Sequence, residues 1–240
     1  MAGDGRSLAA IIVAAGSGER MGATDKLFAP LAGRPLLAHT LAAFQQCPAV
    51  DRIVLVMAEA NLERGRELAH VHGFDKVVGF CVGGPRRQDS VRLGLEALGP
   101  CEWVAVHDGA RPLVTPGLIL RAFEAARESG AAVPAVPLAD TIKEAGPEGF
   151  VERTLDRSRL WGAQTPQVFR YELLARAHRE VTADVTDDAA MLEALDLPVK
   201  LFPGERTNIK VTTPDDLRLA EALLAARPPA SSPAGHRPLH

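Results

Sequence analysis

The residues best suited to chemistry are cations and a carboxylate gathered in two glycine-containing loops. Ala14-Ala15-Gly16-Ser17-Gly18-Glu19-Arg20-Met21-Gly22, followed by Lys26, comes directly after one apolar run. His107-Asp108-Gly109-Ala110-Arg111-Pro112 closes another. Glycines let a backbone approach a polyphosphate closely and aim its N–H groups at the oxygens. Arg20 and Lys26 add positive charge that peptide dipoles alone do not supply. Glycines by themselves would read as an ordinary strand-to-helix turn; the two cations in the same loop favour a phosphate site. Gly16, Gly18 and Gly22 are spaced G-x-G-x-x-x-G, which is not the dinucleotide pattern, and the acidic residue that pattern wants about 20 positions on is replaced by Leu36 and Leu37. A Walker A loop needs Gly-Lys-Ser/Thr, and no such triplet occurs.

Asp108-Gly109 is a common turn pair, yet it interrupts an apolar run where a carboxylate could hold a magnesium ion or a sugar hydroxyl. The functional reading of Asp108 is carried forward, and His107 is read as a satisfied strand-end residue rather than a base. Gly83-Gly84-Pro85-Arg86-Arg87-Gln88-Asp89-Ser90 reads first as a helix start, with Asp89 and Ser90 as first-turn residues and Arg86 and Arg87 as solvated charges. The alternative places Arg87 and the Ser90 hydroxyl beside a nucleotide. No H-E-x-x-H, EF-hand or Cys/His cluster is present, so a metal is expected to arrive with a nucleotide, its protein ligands unassigned. G-x-S-x-G is absent as well. What remains is a set of cations: Arg20, Lys26, Arg87, Arg111, Lys143, Arg157 and Lys210. Cations without a covalent nucleophile suit phosphoryl-type transfer, in which positioning and charge stabilisation supply most of the catalysis.

The elements that must position these loops are legible in the same sequence. Leu8–Ala14, Arg52–Met57, Lys76–Val82, Trp103–His107 and Ala131–Val136 are short runs rich in Val and Ile, as expected of strands buried on both faces. Segments with helical spacing lie between them, carrying Leu37, Leu41 and Phe44, then Val91, Leu95 and Leu98, then Ile119, Phe123 and Ala126. Thr115-Pro116 and Thr213-Pro214 place a hydroxyl at a helix cap and proline at the first helical position, and Asp216 can complete the second cap. The alternation predicts an α/β fold with a doubly wound, mostly parallel sheet, and ligands beyond the carboxyl ends of its strands. One domain is expected over residues 1–226. Within it, residues 140–156 form a protruding β-arm around Gly146-Pro147-Glu148-Gly149, too poor in apolar residues to build its own core. The Pro-rich residues 227–240 are expected to be disordered.

Bulk properties narrow the class. The formal charge of −3 over 240 residues argues against general nucleic-acid binding. Three cysteines without a C-x-x-C pair suit reduced thiols in a cytoplasmic protein. The apolar start is too short to span a bilayer and runs into a glycine loop instead of a cleavage site, so neither membrane nor export is expected.

Six segments occur in register: AAGSGERMG…DK, GGPRRQDSV, VHDGARPLV, ADTIKEA, LDRSRLWGAQTPQ and TNIKVTTPDDL. Together they resemble the 2-C-methyl-D-erythritol 4-phosphate cytidylyltransferase family of the non-mevalonate isoprenoid pathway, from about Leu8 to Ala226. The resemblance implies a Rossmann-like nucleotidyltransferase fold in which a phosphate oxygen of methylerythritol phosphate attacks the α-phosphorus of CTP, and pyrophosphate leaves with magnesium. Arg20 and Lys26 match the family's transition-state stabilisers, and Arg157 and Lys210 the residues that hold the attacking phosphate. Asp108, Arg111, Thr141 and Thr165 would line the rest of the acceptor pocket. Ala14, Ala15, Gly16, Gly18, Gly84, Arg87, Ser90 and Gly109, with Lys26, fall on the nucleotide side. A homodimer that exchanges its arms would let Thr141 and Arg157 complete the neighbour's site. Pro85 departs from the family, where relatives often carry a polar residue. A sister enzyme acting on ribitol 5-phosphate would share the fold and CTP loop; Gly109–Pro112 favours the methylerythritol enzyme. A non-catalytic nucleotide-binding protein is disfavoured because Arg20, Lys26, Arg157 and Lys210 are all retained.

Lys26→Ala is expected to lower turnover by about 10²–10³, the usual effect of losing one transition-state contact. Steady-state kinetics beside a circular dichroism spectrum checks it: loss of the spectrum together with activity would return the loop to a purely structural role.

Overall fold

The computed structural model describes residues 7–16 and 26–227. The chain enters as β1 (Leu8–Ala14), turns through a small hairpin, β2 (Pro30–Leu31) with β3 (Arg34–Pro35), and runs into α1 (Leu36–Gln46). Three further strand–helix units follow: β4 (Val50–Met57) with α2 (Leu62–Val71), β5 (Val77–Val82) with α3 (Arg87–Leu98), and β6 (Trp103–Asp108) with α4 (Pro116–Ser129). β7 (Ala131–Pro137) completes the strands expected from the apolar runs. The parallel half of the sheet has β1 between β4 and β6, with β5 beyond β4. Because β1 is covered on both faces, alternate residues feed two cores. Leu8, Ala10 and Ile12 pack with Leu37, Leu41 and Phe44 on one side. Ile11 joins Val91, Leu95 and Phe169 on the other. This two-sided burial explains an unbroken apolar strand with no alternation.

Beyond β7 the arm forms as expected: β8 (Lys143–Ala145) pairs antiparallel with β9 (Val151–Thr154) around the Gly146–Gly149 turn. Phe150 and Val151 stand in solvent, Phe150 being 75% exposed, while Ile142 and Leu155 are half-buried.

The chain then returns to the sheet in pieces that the sequence does not announce. β10 (Trp161–Ala163) and β11 (Gln167–Arg170) both run antiparallel to β7, and β11 also pairs with β6. Between them, Gln164-Thr165-Pro166 leaves the ladder with a cis Thr165-Pro166 peptide. Next come α5 (Tyr171–Glu180), α6 (Asp188–Glu193), and β12 (Lys200–Pro203), which is parallel to β7. The sheet is therefore mixed, mostly parallel, and flanked by helices.

α7 (Pro214–Ala225) starts at the expected signal. Thr213 Oγ1 accepts from the Asp216 N–H, and the Asp216 carboxylate accepts from the N–H groups of Thr212 and Thr213 and from the Thr212 hydroxyl at 2.7–2.8 Å. These bonds anchor the segment that carries Lys210 and Thr212. Thr115 caps α4 through the Leu118 N–H at 3.0 Å. Among the described residues, no helix is long and apolar enough to cross a membrane. Of the Pro-rich tail expected over 227–240, Arg227 is described and 228–240 lie outside the described residues.

Candidate active site

A cleft of about 600 Å³ opens beyond the carboxyl ends of β1 and β6, where the fold class predicts it. Ala14, Ala15 and Gly16 leave β1 along its floor, and Lys26 comes in from a short 3-10 turn at Lys26–Phe28. Gly84, Arg87 and Ser90 approach from the loop and first turn of α3, while Asp108 and Lys210 form the far wall. The Ser90 hydroxyl accepts from the Gly84 N–H at 3.1 Å, which folds the loop back on the helix it precedes. A Cβ on Gly84 would stand 2.4 Å from the Asp89 Cβ, so this close approach requires glycine.

The two readings of the α3 start divide between neighbours. Asp89 accepts from the Arg86 N–H and pairs with the Arg86 guanidinium at 2.9 Å, as a local first-turn residue should. Arg87 is no solvated charge. It is wedged between two carboxylates, Nε donating to Asp108 Oδ1 at 3.2 Å and Nη1 to Asp188 Oδ2 at 2.7 Å.

A second cleft, about 240 Å³, lies on the other side of this wall. It shares Arg87, Asp108 and Lys210 with the first and adds Arg111, Thr165 and Gln167. Asp108 is the centre of the arrangement. Its Oδ2 lies 2.9 Å from Lys210 Nζ and 3.8 Å from Arg111 Nε, opposite the oxygen that meets Arg87. Burial alone would push the Asp108 carboxyl up, but Arg87, Lys210 and Arg111 outweigh it and hold the group well below the usual carboxylate range. Three cations against the two carboxylates Asp108 and Asp188 leave the wall net positive, in a chain whose formal charge is −3.

The wall is tied to the return strands. The Asp108 N–H donates to Thr165 Oγ1 at 3.1 Å, and the same oxygen lies 2.9 Å from His107 Nδ1. Arg111 Nη1 donates to the Asn208 carbonyl at 2.7 Å, and Asn208 Nδ2 to the Thr165 carbonyl at 2.8 Å. His107 is fully buried, and burial drives its imidazole down to about 3 despite the neighbouring Asp108. It is a neutral strand-end residue, as its position suggested.

The remaining expected site residues either fall outside the described residues or line neither cleft. Gly18 and Arg20 lie outside the described residues. Gly109 lines neither cleft: its N–H donates to the Val13 carbonyl at 2.8 Å, and its own carbonyl accepts from Thr40 Oγ1 at 3.0 Å. These bonds join β6 to β1 and to α1. Thr141 and Arg157 sit exposed on the arm and its return, away from both clefts of their own chain, with the Arg157 guanidinium donating to the Ala139 carbonyl. Lys143 Nζ donates to Thr154 Oγ1 at 2.7 Å and serves the hairpin. Asp188, Gln167 and Asn208 were not foreseen. The stretch before α6, Val181–Asp187, is polar and aperiodic, and nothing in its spacing signals a buried carboxylate.

The family model described as 2-C-methyl-D-erythritol 4-phosphate cytidylyltransferase matches residues 8–226. The chain belongs to this family. A member from Dehalococcoides mccartyi (strain CBDB1), named 2-C-methyl-D-erythritol 4-phosphate cytidylyltransferase, is 55% identical over 215 residues, covering 90% of this chain and 95% of its own. The crystal structure of the enzyme of that name from Thermus thermophilus is 37% identical, with a TM-score of 0.75 over 91% of this chain and 99% of that one. The 4-diphosphocytidyl-2C-methyl-D-erythritol synthase of Anaerococcus prevotii DSM 20548 superposes with a TM-score of 0.81 at 32% identity, covering 92% and 97%.

A buried neutral histidine makes the fold acid-sensitive. Its proton affinity is lower folded than unfolded, so the unfolded chain takes up the proton first, and stability declines as pH falls from about 6.5 towards about 3. His39 and His178, also lowered by burial, act in the same direction. His107→Gln is expected to flatten this decline by up to about 1.4 kcal/mol per pH unit. Urea unfolding between pH 7 and pH 4 tests it, and an unchanged slope would remove His107 from the account.

Proposed function

We propose that this chain transfers the cytidylyl group of CTP to 2-C-methyl-D-erythritol 4-phosphate, forming 4-diphosphocytidyl-2-C-methyl-D-erythritol and pyrophosphate. The observation that carries the mechanism is the wall common to two clefts: Arg87, Asp108 and Lys210 face both. A nucleotide in the larger cleft and a phosphorylated polyol in the smaller one meet at that wall. One oxygen of the acceptor phosphate attacks the α-phosphorus of CTP; the new P–O bond forms as the bond to the β-phosphate breaks, and its electrons leave with pyrophosphate.

Lys26 on the nucleotide side would neutralise charge growing on the α-phosphate and the leaving group, and the resemblance of the AAGSGERMG loop implies the same task for Arg20. Lys210 at the shared wall holds the acceptor phosphate, whose approach to another anion would otherwise be repelled. Thr165 and Arg111 line the smaller cleft beside it. Ala14, Ala15 and Gly16 offer main chain to the nucleotide, and Ser90 keeps the Gly84 loop closed over it.

Magnesium belongs to this proposal as part of the CTP complex. Among the described residues, Asp108 is the one carboxylate lining the larger cleft, so the chain fits an ion held mainly by phosphate oxygens. When bound, the ion screens charge on the triphosphate and the departing pyrophosphate.

Thr141 and Arg157 fit the acceptor site through a second copy of the chain. They stand on an arm that exposes Phe150 and Val151 and leaves its own clefts untouched. A homodimer that exchanges arms buries those apolar groups and brings Arg157 to the neighbour's acceptor phosphate. A cytoplasmic location suits the three free cysteines.

Pyrophosphate release from CTP and magnesium is expected with methylerythritol phosphate and not with ribitol 5-phosphate. Release with ribitol phosphate alone would keep the chemistry and change the acceptor.

Arm exchange has its own test, because it puts Lys26 and the Arg157 that serves it on different chains. Lys26→Ala and Arg157→Ala are each expected to be nearly inactive. Refolded together they should regain roughly a quarter of the wild-type specific activity, since half the dimers are mixed and each restores one site. No recovery in a mixture shown to contain mixed dimers would place Arg157 in its own chain's site.

A further inference from the structure

Asp188 lines neither cleft and is 1% exposed, so it has no path to a substrate. It is nevertheless the closer of the two carboxylates that grip Arg87, at 2.7 Å against 3.2 Å for Asp108. The helix it begins does not need it: Asp187 already caps α6 by accepting from the Ala190 N–H at 3.0 Å. The carboxylate of Asp188 turns inward instead.

Stability does not account for this arrangement. Removing two charges from water costs several kcal/mol per ion, and apolar residues of similar volume are often as stable or more so. Among the described residues, Arg87 Nη2 and Asp188 Oδ1 are also buried without hydrogen-bond partners, which adds to the cost. What the pair does supply is a fixed position. With Nη1 held by Asp188, the planar guanidinium presents Nε to Asp108 Oδ1 alone. Asp108 Oδ2 is thereby left facing Lys210 at 2.9 Å.

We infer that Asp188 is a positioning residue of the acceptor site, acting through Arg87 and Asp108 to set Lys210. Without its charge, Arg87 is free to take both oxygens of Asp108 as a bidentate partner. Lys210 then loses the counter-ion that aims it at the shared wall. The inference rests on the assignment of Lys210 to the acceptor phosphate, and the test separates the two.

Asp188→Asn keeps the side-chain shape and removes the charge. It is expected to raise the acceptor KM about tenfold, with a smaller change in the KM for CTP. Lys210→Ala alone should raise the acceptor KM, and adding Asp188→Asn to it should raise that KM no further. Asp188→Glu, which retains the charge, should lie nearer the wild type than Asp188→Asn. Should Asp188→Asn fail to fold, Arg87→Lys serves in its place, since a single ammonium cannot grip both carboxylates as the guanidinium does, and the same non-additivity is expected. Effects that multiply in the double variant, or a lower melting temperature with an unchanged acceptor KM, would overturn the positioning role while leaving Lys210 in place. An acceptor KM untouched by Lys210→Ala would overturn the assignment of Lys210 and this inference with it.

Discussion

Like charges gathered in one wall repel, and the site exists because Asp108, with Asp188 behind Arg87, offsets that repulsion. At an effective dielectric constant near 20, two unit charges 4 Å apart interact by about 4 kcal/mol. Arg87, Arg111 and Lys210 would therefore oppose folding if nothing stood between them. Asp108 meets all three within 4 Å, and its depressed proton affinity is the same interaction seen from the carboxylate. The remainder of the architecture serves to hold this group where a strand ends and a ligand begins. The Asp108 N–H is fixed on Thr165, and Gly109 closes on β1 so tightly that a Cβ would meet Ala14, Leu37 and Val13 at 3.2 Å.

The supports converge from distant parts of the chain. The sheet contributes Asp108 and the exit of β1, α3 contributes Arg87, and the capped approach to α7 contributes Lys210. Asn208, fully buried, links that approach to the Thr165 corner and, through its carbonyl, to Arg111. Hydrogen-bonded groups of this kind confer rigidity because each unmade bond would leave a buried polar atom unsatisfied.

How much of this could be read beforehand follows from the range of each interaction. The strands β1, β4, β5, β6 and β7 were legible because burial on both faces writes a local signal. So were the caps at Thr115 and Thr213, which span three residues. Asp108, Arg111 and Lys210 were legible as chemistry stranded among apolar or glycine residues, and the family resemblance gave them roles. β10, β11 and β12 were not, being three or four residues long and stabilised by pairing with β7 rather than by their own pattern. Arg87 looked like a surface charge because its partner Asp188 lies 101 residues away. The packing of Gly109 on β1 was not legible, because a glycine that admits a phosphate and one that admits a neighbouring strand are identical in sequence.

The wall between the clefts also limits how the enzyme can change. Arg87, Asp108 and Lys210 line both clefts, so a change made there for the occupant of one is felt by the occupant of the other. Gln164, Gln167 and Asp187 face the smaller cleft alone. With the acceptor in the smaller cleft, as proposed above, preference among polyols is free to drift on that side while the phosphate chemistry stays intact, which would make acceptor choice the adjustable half of the molecule and the nucleotide the inherited half.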